Sequence, residues 1–154
     1  MALKMSTGKL WVYFYGSYMD TDTLASFMVK PLSFEVARLD DWGVTFSPYA
    51  TLIPRTSDYV YGIVAELTEG DVERLYSRAE LADYKPVEVI VETASKGRVP
   101  ATCYVSKPVE NLRPSPAYLG LVVNTARRLG FPSAYVEKLS GFAGQTPELS
   151  RPSR

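Results

Sequence analysis

Apolar, β-branched and aromatic positions run together over residues 10–15, whereas residues 20–30 open on Asp20, Thr21, Asp22 and Thr23 and continue with helix formers. That pattern predicts a buried strand leading into a capped helix. The chain must then turn sharply at Gly16-Ser17. A glycine there lets backbone N–H groups come close to a bound group, and a helix start leaves unpaired donors that favour a carboxylate or oxyanion. The same residues also fit an ordinary strand-to-helix turn.

Farther along, residues 34–39 and 42–46 read as two short strands joined at Asp40-Asp41 in a hairpin-like meander. Residues 47–58, with Pro48, Pro54, Ser57 and Asp58, read as a surface loop able to line a cleft. Residues 59–67 form the clearest strand pattern, where Gly62 implies a bulge or close approach by another backbone. Thr68 and Asp71 make a short capping box for a helix reaching Ala79 or Glu80. Val87, Val89 and Val91 alternate with Glu88, Ile90 and Glu92, and residues 98–105 answer them across Ser95-Lys96-Gly97 as an antiparallel hairpin.

The last third is helical. Pro114-Ser115-Pro116 supplies an N-cap and a Pro at the first helical position, Leu119, Val122, Val123, Ala126 and Leu129 recur at helical spacing, and Gly130 stops the run. Pro132-Ser133 starts a second helix with Tyr135, Leu139 and Phe142 as its stripe. The expected class is α+β: one domain over residues 10–143, with a mixed, largely antiparallel sheet curling toward a small barrel and about four flanking helices. Residues 1–9 read as a lead-in and residues 144–154 as a disordered tail.

Composition narrows the chemistry. The 154 residues, 46% hydrophobic and 12% aromatic, suit one compact domain. Seventeen basic residues balance seventeen acidic ones, which argues against nucleic acid or an anionic membrane as partner. Arg127-Arg128 reads as a solvated helix face. The chain has no His, so imidazole bases, His triads and His-ligated metals are excluded. One cysteine, Cys103, predicted to point from a strand into packing, fits a reducing compartment. No apolar run suits a signal peptide or membrane span, and the chain reads as soluble and cytoplasmic.

Among the carboxylates Glu80 stands out, because it falls where a helix hands over to a strand and a desolvated Glu serves as general base in a chain without His. A solvated Glu at a helix end fits the same position.

Tyr15-Gly16-Ser17-Tyr18-Met19 after an apolar strand resembles the Tyr-Gly-Ser-Asn-Leu/Met loop of the gamma-glutamylcyclotransferase-like family. Further segments resemble that family in the same order. They are Tyr61-Gly62-Ile63-Val64, Glu80 with Tyr84 four residues on, the Val87 to Val91 strand, Pro114-Ser115-Pro116-Ala117-Tyr118, and Leu129-Gly130-Phe131-Pro132 followed by Tyr135 to Leu139. The resemblance implies cleavage of a γ-glutamyl amide by attack of its own α-amine, releasing 5-oxoproline and a free amine without metal or cofactor. It implies Glu80 as general acid/base, with Tyr15, Gly16, Ser17, Tyr18, Met19, Tyr84 and Tyr118 around a small γ-glutamyl substrate, in a monomer or homodimer.

Two departures accompany it. Tyr18 stands where the family has Asn, and residues 75–81 lack the Asp and Gly of a Leu-Asp-x-x-Glu-Gly pattern. Anchoring that pattern on Leu75 puts Ala79 at the catalytic position. Anchoring on Glu80 keeps the four-residue step to Tyr84 and adds one residue to the preceding turn. Beside an enzyme, the residues therefore allow a non-catalytic relative that binds a small carboxylate or amine metabolite, and an interaction domain that uses exposed aromatics.

Overall fold

A computed structural model of the chain describes residues 9–109 and 112–145. Strand β1 (Lys9–Phe14) lies between two partners. It pairs antiparallel with β3 (Ala50–Thr68), Phe14 facing Ile63, and parallel with β5 (Gly97–Val105), Tyr13 facing Cys103. Strand β2 (Ser33–Phe46) pairs antiparallel with β3 along its length and touches β4 (Lys85–Thr93) at Ala37 and Arg38. β4 and β5 form the expected hairpin. The order β1-β3-β2-β4-β5 returns to its start, so the hydrogen bonding of this five-stranded mixed sheet closes into a ring. Most of its pairings are antiparallel, and the fold is the α+β class read from the sequence.

The described residues hold four α-helices: α1 (Thr21–Ser26) and α2 (Glu69–Tyr76) between strands, and α3 (Pro116–Arg128) and α4 (Ser133–Ser140) after the last strand. Asp20 caps α1, accepting from the Thr23 amide at 3.2 Å. Thr68 and Asp71 complete a reciprocal capping box on α2, and Ser115 caps α3. Gly130 ends α3 with φ of +80°, a conformation open to glycine at little cost.

Four boundaries differ from the sequence reading. Helix α1 ends at Ser26 and not at residue 30, because the chain turns out of the helix at Phe27 and Met28, where Met28 adopts φ of +63°. Residues 34–46 form one strand, because Asp41 adopts φ of +68° in a bulge opposite Ser57 instead of making a hairpin turn. Asp41 Oδ1 accepts from the Ser57 amide at 3.0 Å, which fastens the irregularity. For the same reason β3 begins at Ala50 and the expected loop shrinks to its first residues; Pro54 sits inside the strand opposite Trp42. Helix α2 stops at Tyr76, so Glu80 falls in a separate 3-10 turn, Ala79–Leu81. The lead-in and tail lie outside the described residues apart from Lys9, which opens β1, and residues 144 and 145, within a 3-10 turn.

The core fills the ring and the space under the helices. Val12, Tyr13, Phe14, Ile63, Leu67, Leu75, Tyr135 and Leu139 are all buried. The Tyr13 hydroxyl donates inside it to the Ala37 and Val60 carbonyls, each at 3.1 Å. Gly62 lets β1 and β3 meet: a Cβ there would land on the Phe14 carbonyl oxygen. Cys103 is wholly buried, as its strand alternation predicts, and desolvation pushes its thiol well above its ordinary range. Arg127 and Arg128 lie on an exposed face, as read from the sequence, and the Arg128 guanidinium also meets buried Asp20 at 3.0 Å, tying the end of α3 to the turn after β1.

Candidate functional site

The chain leaves β1 at Phe14 and makes a 3-10 turn over Ser17–Met19 before α1 begins. Beside that turn lies a cavity of about 230 Å³ lined by Phe14, Tyr15, Gly16, Ser17, Tyr18, Thr23, Phe27, Tyr49, Ala50, Tyr76, Arg78, Leu81, Tyr84, Tyr118 and Leu121. β1, the start of β3, the stretch after α2, and α3 each supply a wall.

Ala50 organises one side. Its amide donates to the Tyr118 hydroxyl at 3.1 Å, and its carbonyl accepts from the Tyr84 hydroxyl at 2.7 Å. A single backbone unit thus aims two phenols into the cavity. Gly16 completes the fit, since a Cβ there would stand 2.9 Å from the Ala50 Cβ and 3.0 Å from the Tyr118 oxygen. The glycine is therefore required first by the packing of Tyr118 against the turn.

Tyr18 forms the opposite wall. Its ring meets Phe14, Phe27 and Tyr76 edge-on, with centroids 5.6 to 5.9 Å apart. Its hydroxyl donates to the Leu75 carbonyl at 2.8 Å and accepts from Arg78 Nη2 at 2.9 Å. The Arg78 guanidinium also lies over the Phe27 ring, 4.6 Å from its centroid.

The electrostatics are one-sided. Arg78 is the sole charged side chain among the lining residues, and no carboxylate lines the cavity. Five of the lining phenols, Tyr15, Tyr18, Tyr76, Tyr84 and Tyr118, stay protonated at neutral pH. Desolvation raises the Tyr15 and Tyr76 hydroxyls well above their ordinary range, and burial raises Tyr18 and Tyr118 against the opposing pull of Arg78 and the Ala50 amide. Tyr84 is pushed up to about 12, again mainly by burial.

Of the residues the sequence singled out, Tyr15, Gly16, Ser17, Tyr18, Tyr84 and Tyr118 line this cavity together. Met19 does not; the 3-10 turn rotates it into the core, where it is 1% exposed. Glu80 is also outside the lining. Its side chain is 51% exposed and faces Arg78 Nη1 at 3.5 Å. Arg78, Phe27 and Ala50 were missed as site residues. Arg78 carried no motif of its own, and Ala50 lay in the stretch read as a cleft-lining loop, whose first residues do reach the cavity. Among the described residues no three His, Cys, Asp or Glu side chains are grouped to hold a metal ion. No helix among them is long and apolar enough to cross a membrane.

The model of the AIG2-like family matches residues 59–139, just over half of the chain. The chain belongs to that family. Its curated relatives include the gamma-glutamylcyclotransferase of Bos taurus, 26% identical over 153 residues, with 90% of this chain and 81% of the relative covered. The Homo sapiens gamma-glutamylcyclotransferase is 26% identical over 144 residues, covering 84% and 77%. A solved gamma-glutamyl cyclotransferase shares the fold, with a TM-score of 0.72, 23% identity and 86% of each chain covered. The chain is thus gamma-glutamylcyclotransferase-like in sequence and fold.

Proposed function

We propose that the cavity beside Gly16–Met19 binds a small γ-glutamyl-type ligand, and that it does so without promoting cyclisation. The carrying observation is the lining itself: amide turn, anchored phenols and one guanidinium, but no carboxylate. The turn suits an anionic group of the ligand, either an α-carboxylate or a polarised γ-carbonyl. Tyr84 and Tyr118 suit hydrogen bonding to its polar atoms while their rings exclude water. Cyclisation asks for more. The α-ammonium must lose a proton before its nitrogen attacks the γ-carbonyl, and the leaving amine must gain one as the amide C–N bond breaks. With Tyr84 and Tyr118 held protonated and Glu80 half exposed outside the lining, no carboxylate among the lining residues is available to take that proton.

A second reading keeps the reaction of the named relatives. There Glu80 takes the ammonium proton and passes it to the leaving amine, and 5-oxoproline is released with no cofactor. Its support is that Glu80 pairs with a cavity residue, Arg78, at 3.5 Å, which puts its carboxylate next to the lining. A cytoplasmic location belongs to the same proposals and is supported by the unpaired thiol of Cys103.

The two readings separate in one assay. A panel of γ-glutamyl amides is titrated calorimetrically and incubated for 5-oxoproline release, with wild type and Glu80→Gln in parallel. Saturable binding without release supports the binding reading. Release that Glu80→Gln abolishes would replace it with the catalytic one.

A further inference from the structure

The hydroxyls that line the cavity differ in where their hydrogens go. Those of Tyr15, Tyr18 and Tyr84 donate to backbone carbonyls. Thr23, on α1, spends its hydrogen on a charge: Oγ1 donates to Asp20 Oδ2 at 2.8 Å, and the same oxygen accepts the Thr23 amide at 3.2 Å. A hydroxyl has one hydrogen and two lone pairs, and a carboxylate only accepts, so Thr23 is the donor in this pair. Any hydrogen bond that the Thr23 side chain makes to a ligand is therefore one that its oxygen accepts.

Asp20 strengthens that acceptor. Its side chain is only 7% exposed, so its charge is little screened by water and polarises the hydroxyl that donates to it. No carboxylate lines the cavity, yet Asp20 brings negative charge to within one hydrogen bond of the lining. Arg128 takes the other oxygen, Oδ1, at 3.0 Å and fixes the carboxylate's orientation, while its own side chain lies more than half in water. Asp20 directly follows the Ser17–Met19 turn, and Thr23 stands in the first turn of α1. An α-amino-acid head carries ammonium and carboxylate on one carbon, and the turn amides and the Thr23 oxygen offer it a donor set and an acceptor from one short stretch of chain. We infer that Thr23 is the acceptor which meets the ligand's α-ammonium, and that Asp20, anchored by Arg128, is the residue that positions it. The cavity then discriminates between a γ-glutamyl compound and the glutaryl compound of the same shape, which lacks the ammonium. This inference rests on the reading of the cavity as a γ-glutamyl-ligand site.

The test titrates the full chain calorimetrically with γ-glutamylglycine and glutarylglycine, which differ only in the α-ammonium. Wild type should bind γ-glutamylglycine about tenfold tighter. Thr23→Val, which keeps the shape and removes the oxygen, should bring the ratio near one, and Thr23→Ser, which restores a hydroxyl, should keep it. Asp20→Asn leaves a good N-cap on α1 but removes the charge, and its ratio should fall between those of wild type and Thr23→Val. Should Thr23→Val fail to fold, Asp20→Asn decides in its place. Equal affinities in wild type, a ratio that survives in folded Thr23→Val, or one lost in Thr23→Ser would overturn the role of Thr23 and leave the cavity's reading standing. A ratio unchanged in Asp20→Asn would overturn the role of Asp20. Binding of neither ligand would overturn the inference and the cavity's reading together.

Discussion

Arg78 donates to the Tyr18 hydroxyl at 2.9 Å, across sixty residues of chain, and that hydroxyl donates onward to the Leu75 carbonyl at 2.8 Å. The turn after β1 and the end of α2 are thereby joined through one phenol. Tyr18→Phe removes both hydrogen bonds while keeping the ring's contacts with Phe14, Phe27 and Tyr76. A loss of about 1–2 kcal/mol is expected in urea unfolding. Tyr18→Asn, which takes away the ring as well, should cost about 3 kcal/mol or more.

Gly16→Ala tests the fit of the turn. The added methyl would stand 2.9 Å from the Ala50 Cβ and 3.0 Å from the Tyr118 oxygen. Displacing Tyr118 loosens its hydrogen bond with Ala50, so calorimetry should show weaker ligand binding together with a stability loss of about 1–3 kcal/mol. Ala at position 120, on the same helix as Tyr118, is the control: a Cβ there meets nothing within 4 Å, and binding should be retained.

Much of the architecture was readable because local rules and tertiary contacts agree. Thr68 and Asp71 make a capping box that needs only their own backbone, Ser115-Pro116 starts α3, and Gly62 is a glycine because β1 crosses it. The missed boundaries have the opposite character. Asp40-Asp41 carries turn residues, yet pairing with β3 on both sides turns them into a bulge. Pro54 lies in a strand because Trp42 provides a partner across the ribbon. At the site, the turn and the two phenols were legible from their order in the chain. Arg78 was not, because its importance comes from what it touches: a phenol sixty residues earlier and a ring on the segment after α1. Nor could residue order reveal that the turn following α2 leaves Glu80 half in water.

Alkaline pH should find the phenols. Tyr84 rises from its ordinary value of 10.0 to about 12 because burial disfavours its anion. A raised folded value means the native state holds its proton longer than the unfolded chain. The associated stability is therefore complete below pH 10 and is lost as pH climbs from 10 toward 12. Chemical-denaturation midpoints should stay level with respect to this group up to pH 9 and then decline, and the decline should be shallower in Tyr84→Phe.

Asp20 serves both as the N-cap of α1 and as the partner of Arg128. Asp20→Ala should lower stability by about 1–2 kcal/mol. Arg128→Ala, which leaves the cap in place but strands a buried carboxylate, should also destabilise. Thermal unfolding of the two single variants and the double should be non-additive, with the double less destabilised than the sum.

Whether the cavity beside Gly16–Met19 binds a γ-glutamyl ligand without turning it over, as proposed, is open to direct measurement. The most direct test is γ-glutamylglycine mixed with the full chain, with heat of binding and 5-oxoproline followed on the same sample. One saturable site and no 5-oxoproline above the uncatalysed background is the result predicted. Absence of binding, or any 5-oxoproline above that background, would contradict it, and loss of the release in Glu80→Gln would assign the reaction to Glu80.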